Sequence, residues 1–261
     1  ALHFWEEPCV SGEEGSGTVF FSGCSLGCVF CQNYQISAGH FGRDIPVERL
    51  AEIFLELQEQ KANNINLVTG GHYIPQIVRA LDLVRGKLHI PVVYNSSGYE
   101  TVEALRMLKG YVDVYLPDLK YRSPERGARY SHAPDYFAVA SKAILEMLDQ
   151  VGPVQFDGRG MIQRGLIVRH MVMPNGVEDS MDILTWIAGN LPLDDILVSV
   201  MSQYTPFYKS GEYPEIDRRL TAQEYDRVLD WLDCMGIENG FVQALSSAKE
   251  EYTPDFSLQG V

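Results

Sequence analysis

The chain has 261 residues, 46% of them hydrophobic, enough to bury a sizeable core. Acidic residues outnumber basic ones, 35 to 21, for a formal charge of −14; nucleic acid demands a basic face, so such a partner is not expected. No apolar run reaches the roughly 18 residues of a membrane span, no secretory signal is expected, and five cysteines are too few for a disulfide scaffold; odd in number and clustered, they read as metal-binding or catalytic in a reducing, cytoplasmic setting.

In chain order, apolar strand-like runs alternate with amphipathic stretches. Residues 18–21 read as a short strand. Residues 47–60 read as a helix with Leu50, Ile53, Phe54 and Leu57 on one face. A strand over 65–69 runs into Gly70-Gly71, and a helix over 74–84 carries Pro75 in its first turn, where a missing N–H is tolerated. A strand over 91–95 ends in Ser96-Ser97-Gly98, before a helix over 101–108 with Thr101 as its N-cap. Then come a strand over 112–119, a helix over 138–148, a strand over 165–172 and a helix over 179–188. A strand over 196–203 precedes a helix over 221–234, opened by the capping box of Thr221 and Glu224. Residues 241–244 suggest a last strand, and Cys234, beside Trp231 and Leu232, is expected in the core.

Six strand–helix units and a remnant make an α/β fold with a parallel sheet. Continuous apolar strands suit a sheet covered on both faces. One domain is expected over 1–261, with a C-terminal tail from about 245. Glycines and polar residues collect at the strand ends, and the carboxyl ends of the strands carry the site in such folds.

Residues 24–31 read CSLGCVFC, so Cys24, Cys28 and Cys31 lie on one tight loop. The glycines at 23 and 27 let the backbone wrap around a common point. Structural zinc would need a fourth ligand, Cys9 or His40. A ferredoxin-like cluster would need Cys9. A redox pair of Cys28 and Cys31 leaves Cys24 without a role. The remaining reading is a [4Fe-4S] cluster held by three cysteines, with one iron open.

That spacing, after a strand and before alternating units, resembles the radical S-adenosylmethionine (SAM) superfamily. The resemblance implies a partial (β/α)6 TIM-like barrel, splayed at one side. It implies a [4Fe-4S] cluster on Cys24, Cys28 and Cys31 whose open iron is chelated by SAM. The cluster reduces SAM to methionine and a 5′-deoxyadenosyl radical, which takes hydrogen from a substrate, while the protein orients and excludes water.

From about Glu7 to Tyr204 the chain is similar to one branch, the glycyl-radical-enzyme activating enzymes, of which the pyruvate formate-lyase activator is an example. By that resemblance Phe30 packs near the adenine and Gly70-Gly71 receives the SAM amino group, although His72-Tyr73 follows where the branch has Glu-Pro. Asn95 and Ser97, in an Asn-Ser-Ser-Gly turn, replace the branch's Asp-Thr-Asn-Gly. Asp118-Leu-Lys120 matches a strand end of the branch; Lys120 supplies a point charge for the SAM carboxylate and Asp118 orders it. Arg169 would bind a carboxylate bidentately. His72, His170, Gln203 and Tyr204 are the candidate substrate contacts. Implied partners are a glycyl radical enzyme and a reductant such as flavodoxin or ferredoxin. The branch also implies a Cys-rich segment upstream of Ala1. Rival expectations are radical chemistry on a small molecule, peptide or RNA base, and a non-enzymatic iron–sulfur or zinc module.

Overall fold

The computed structural model describes residues 1–245, 256, 258, 260 and 261. Most of the expected C-terminal tail lies outside the described residues. The chain opens with β1 (Leu2–His3), α1 (Pro8–Ser11) and β2 (Ser16–Phe20). The cysteine loop leads to α2 (Tyr34–Ser37) and α3 (Val47–Glu59). Then follow β3 (Ile65–Val68), α4 (Ile74–Leu83), β4 (Val92–Ser96), α5 (Val102–Met107), β5 (Val114–Pro117), α6 (Pro124–Ser131) and α7 (Tyr136–Val151). The last third holds β6 (Gln155–Phe156), β7 (Ile162–Met171), α8 (Val177–Asn190), β8 (Leu197–Met201), α9 (Ala222–Cys234) and β9 (Gly240–Val242).

From β2 to β9 neighbouring strands of the main sheet are parallel, in the order β2-β3-β4-β5-β7-β8-β9. β1 adds antiparallel to β2, and β6 pairs antiparallel with β7. Among the described residues β1 and β9 end the sheet without pairing to each other. The sheet is thus a curled half-barrel, the α/β architecture that the alternation of units predicts. Strand parity divides its side chains. Leu67, Tyr94, Tyr115, Leu166 and Val198 join the core shared with the helices. Val93, Val114, Leu116, Ile167 and Leu197 face inward.

Local sequence explains most helix starts. Thr101, Ser123 and Thr221 accept the backbone N–H of Ala104, Arg126 and Glu224, and each such cap contributes about 1 kcal/mol. Polar α6 has no apolar period to announce it, yet Ser123-Pro124 starts it well. α7 begins earlier than expected because Tyr136 continues the buried stripe of Ala140, Ala143, Ile144, Met147 and Val151. Cys234 is exposed, contrary to expectation. The buried face of α9 is Tyr225, Val228 and Leu232, and a residue two places beyond Leu232 points elsewhere.

The lumen is not empty. Cys9 and Val10 on α1 pack against the inward residues of β4, β5, β7 and β8. The N-terminal segment therefore fills the barrel from within. Leu116→Ala would hollow the lumen under this plug. We expect it to cost about 2–5 kcal/mol, read as a lowered midpoint in urea denaturation; a loss under 1 kcal/mol would mean that α1 does not pack there in solution.

Candidate active site

One pocket gathers Cys24, Cys28, Cys31, Phe30, Asn95, Ser97, Asp118, Lys120, Arg169, Gln203 and Tyr204. Residues from six strands and their following loops meet there, at the carboxyl edge of the sheet. Gly70, Gly71, His72 and His170 do not line it.

The cysteine loop is braced from three sides. Val29 N–H donates to Tyr130 O at 2.9 Å, and Lys209 N–H donates to Val29 O at 2.8 Å. Gly23 N–H donates to Ile36 O at 2.9 Å. All three thiols are free and half-buried. Cys28 Sγ lies 2.9 Å from Ser131 Oγ, and Cys31 Sγ lies 3.3 Å from Ser37 Oγ. Burial pushes the Cys28 thiol up to about 12, against the pull of Lys120 and the Ser131 hydrogen bond. Burial also raises Cys24, and a hydrogen bond from the Leu26 backbone opposes it. Phe30 is buried and leans on Tyr204, ring centroids 5.6 Å apart. Cys9 sits in the lumen core, outside the pocket, with its thiol pushed up to about 12 by burial and by Glu7. His40 adopts a left-handed φ of 50°, and a Cβ on buried Gly23 would stand 3.8 Å from its Nδ1.

The strand ends are fixed by one hydroxyl. Tyr136 Oη stands 2.8 Å from both Ser97 O and Asp118 O, and accepts Lys120 N–H at 3.0 Å. Gly98 makes this approach possible. A Cβ there would stand 2.2 Å from Asp118 O, and its φ is +76°. Lys120 ion-pairs with Asp118 inside the pocket. Burial opposes its charge, but Asp118 and the facing thiols outweigh burial and hold the Lys120 pKa above its ordinary value.

Arg169 is placed otherwise than expected. Its Nη2 donates to Glu6 Oε2 at 2.7 Å and its Nε to Glu7 Oε1 at 3.1 Å. Glu6 also accepts Asn66 Nδ2 at 3.1 Å and Asn95 Nδ2 at 3.3 Å. Burial works against the guanidinium charge, yet Glu7, Glu6 and Asp118 more than offset it. Two of its five donors are thus engaged within the chain, and Lys120 is the second cation that lines the pocket. Asp118 engages one of the three Lys120 donors.

Two histidine expectations change as well. On β7, Arg169 and Met171 face the pocket, so His170 faces the helices. Its Nδ1 meets Leu119 O at 2.7 Å and its Nε2 meets Ser180 Oγ at 2.8 Å; both nitrogens are satisfied away from the pocket, and burial lowers its pKa. His72 is exposed on a one-turn helix after Gly70. Gly70 itself is buried, and a Cβ there would meet Ile77 at 2.7 Å. Gln203 Nε2 points toward Met201 Sδ at 3.6 Å, while the Tyr204 hydroxyl donates to Ile216 O at 2.9 Å. The pocket also holds His3, Trp5 and Glu6, from a segment in which the sequence offers no pattern.

A family model for the radical SAM superfamily matches residues 18–185. The chain belongs to the radical SAM superfamily. An uncharacterized protein of Methanocaldococcus jannaschii is 38% identical over 238 residues, 88% of this chain and 64% of that relative. The chain thus spans less than two thirds of its length. The FeFe-hydrogenase maturase HydG from Carboxydothermus hydrogenoformans superposes with TM-score 0.59 at 13% identity, covering 86% of this chain and 52% of HydG. Streptococcus suis SuiB bound to SAM gives 0.58 at 14% identity, covering 92% and 53%. Methylornithine synthase (PylB) gives 0.55 at 14%, covering 93% and 73%. These likenesses are of fold.

Membership in the superfamily implies a [4Fe-4S] cluster and SAM. The residues present fit both. Three free thiols open into one pocket, the ligand number of a cluster with one site left for SAM. Lys120, Asn95 and Ser97 offer donors beside them. Among the described residues no helix is long and apolar enough to cross a membrane.

Glu100 lies beside the Gly70–Gly71 turn, its Oε2 2.9 Å from where a Cβ on Gly71 would stand. Tyr94 Oη donates to its Oε1 at 3.3 Å. Burial nevertheless raises its pKa to about 7. The folded protein therefore binds a proton more tightly than the unfolded chain. The site costs little stability below about pH 4.5; its penalty grows between about pH 4.5 and 7 and levels off above 7. We expect Glu100→Gln to match the parent at pH 4.5 and to exceed its stability at pH 8, by on the order of 2–3 kcal/mol. Parallel stability–pH curves for the two proteins would contradict this.

Proposed function

We propose that this chain is a radical SAM enzyme that cleaves SAM reductively and takes a hydrogen atom from a glycine of a partner glycyl radical enzyme. The observation that carries the enzymatic reading is the joining of Cys24, Cys28 and Cys31 with Lys120, Asp118, Asn95 and Ser97 in one pocket. When bound, the cluster and SAM supply one-electron cleavage of the sulfonium that ends in hydrogen abstraction.

The chain's own part is binding, orientation and exclusion of water. Cys24, Cys28 and Cys31 hold the iron. Lys120, steadied by Asp118, meets the SAM carboxylate as a point charge. Thr69, just before the Gly70–Gly71 turn, lines the pocket, so the amino group would meet the backbone on that side although the two glycines themselves stand back from it. Asn95 and Ser97 offer hydrogen bonds, and Phe30 offers a face for the adenine. Buried Leu26, Phe30 and Tyr204 keep the thiol side of the pocket dry, which strengthens every charge interaction there.

The glycine-directed reading rests on the strand-end resemblance and on the open edge between β1 and β9. A second reading, radical chemistry on a small molecule, peptide or RNA base, is favoured by His3, Trp5 and Glu6. These close one wall of the pocket from the N-terminal side.

Anaerobic reconstitution, followed by SAM and dithionite, tests the enzyme. 5′-Deoxyadenosine should form, and its absence with an intact cluster would leave only a non-enzymatic module. Cys24→Ala, Cys28→Ala and Cys31→Ala should each lower product formation at least 1000-fold, whereas Cys9→Ala and Cys234→Ala should retain most of it. A glycyl doublet in electron paramagnetic resonance with candidate partner enzymes would support the first reading. Its absence from all of them would support the second.

A further inference from the structure

We propose that Ser131, with its hydroxyl aimed by Tyr121, raises the reduction potential of the cluster by hydrogen bonding to Cys28. The inference rests on the reading that Cys28 is an iron ligand.

Ser131 ends α6 and Tyr121 lies between β5 and α6; both are 1% exposed. Ser131 Oγ stands 2.9 Å from Cys28 Sγ and 3.0 Å from Tyr121 Oη. The direction of this chain of bonds follows from the chemistry of its end. A thiolate bound to iron has no proton and can only accept. Ser131 must then give its single proton to sulfur, and Tyr121 must donate to the Ser131 oxygen. Among the described residues these are the hydrogen-bond partners that the two hydroxyls have. His132 stops α6 in a left-handed conformation immediately after Ser131. The carbonyl of Tyr130, one residue earlier, holds Val29 of the cysteine loop at 2.9 Å. Serine and sulfur are therefore locked in register by backbone on both sides.

The arrangement treats the three cysteines unequally. Cys24 takes a backbone N–H from Leu26, and Cys31 meets Ser37 at the longer 3.3 Å. Cys28 alone has a donor that is itself polarised by a second buried hydroxyl, which strengthens the bond. An external low-potential donor gives the cluster one electron, and no proton moves. The added charge spreads onto the sulfurs, where a fixed donor stabilises it. Ser131 acts through Cys28, so it is a positioning residue.

The test is a potentiometric titration of the reconstituted protein, followed by the electron paramagnetic resonance of the reduced cluster. Ser131→Ala should carry a full iron load and show at least a tenfold lower ratio of reduced to oxidised cluster at fixed poise, a fall of 59 mV for a one-electron couple. Ser131→Thr keeps the hydroxyl and should restore the parent potential. Tyr121→Phe keeps Ser131 but removes the hydroxyl that donates to its oxygen, and should fall between. A parent potential in Ser131→Ala overturns the proposal alone. If Ser131→Ala loses iron, Tyr121→Phe decides: an unchanged potential there overturns it, and a lowered one supports it. A parent protein that assembles no cluster overturns the site reading and this inference together.

Discussion

Arg169 is the point on which the rest of the molecule turns. One guanidinium, 12% exposed, is held by two carboxylates at 7% and 5% exposure. Taking these charges out of water costs several kcal/mol per ion, repaid only by good geometry and further hydrogen bonds. For Glu6 those bonds come from Asn66 on β3 and Asn95 on β4, while Glu7 Oε2 is buried without a hydrogen-bond partner. The triad therefore ties three strands to a segment that would otherwise have no reason to enter the barrel. With Glu6 and Glu7 anchored, α1 is carried into the lumen, and Cys9 and Val10 fill the space that a half-barrel leaves open. Removing Arg169 would strand two buried carboxylates, an imbalance of about 3–5 kcal/mol.

The same interaction sets the electrostatics of the pocket. Two cations, Lys120 and Arg169, face three carboxylates, Asp118, Glu6 and Glu7. Both cations are neutralised, but not equally. Arg169 is the deeper and is held at two of its nitrogens by Glu6 and Glu7, whereas Lys120 meets Asp118 alone. Negative charge thus balances Arg169 at the plug, and the Lys120–Asp118 pair lines the pocket with the cysteines. Under the proposed reading, Lys120 is the charge that a ligand carboxylate meets.

Much of this was legible in the sequence. The period of the apolar residues gave the alternation of strands and helices, and C-x3-C-x2-C with Asp118-Leu-Lys120 led to one pocket. Other parts were not legible, for physical reasons. Arg169 and His170 were both named as candidates, yet adjacent residues on a strand point to opposite faces, and only one can face the pocket. Tyr136 could have been found by running the stripe of α7 back one turn. The role of Glu6 and Glu7 could not, because a buried ion triad in which Arg169 and Glu7 are 162 positions apart in sequence leaves no local pattern. Cys234 misled because two apolar neighbours in sequence do not define a helix face.

What enters the pocket is narrowed by its walls. The strand ends supply the chemistry, while His3, Trp5 and Glu6 supply a further wall. That wall comes from the N-terminal segment, which the Arg169 triad holds in place. Beyond it, Tyr34 and Tyr208 stack at 5.1 Å on the exposed side of the cysteine loop, with Lys209 over the Tyr208 ring. The ion triad that stabilises the barrel thus also fixes one wall of the pocket, so the first seven residues belong to the site as much as the cysteine loop does.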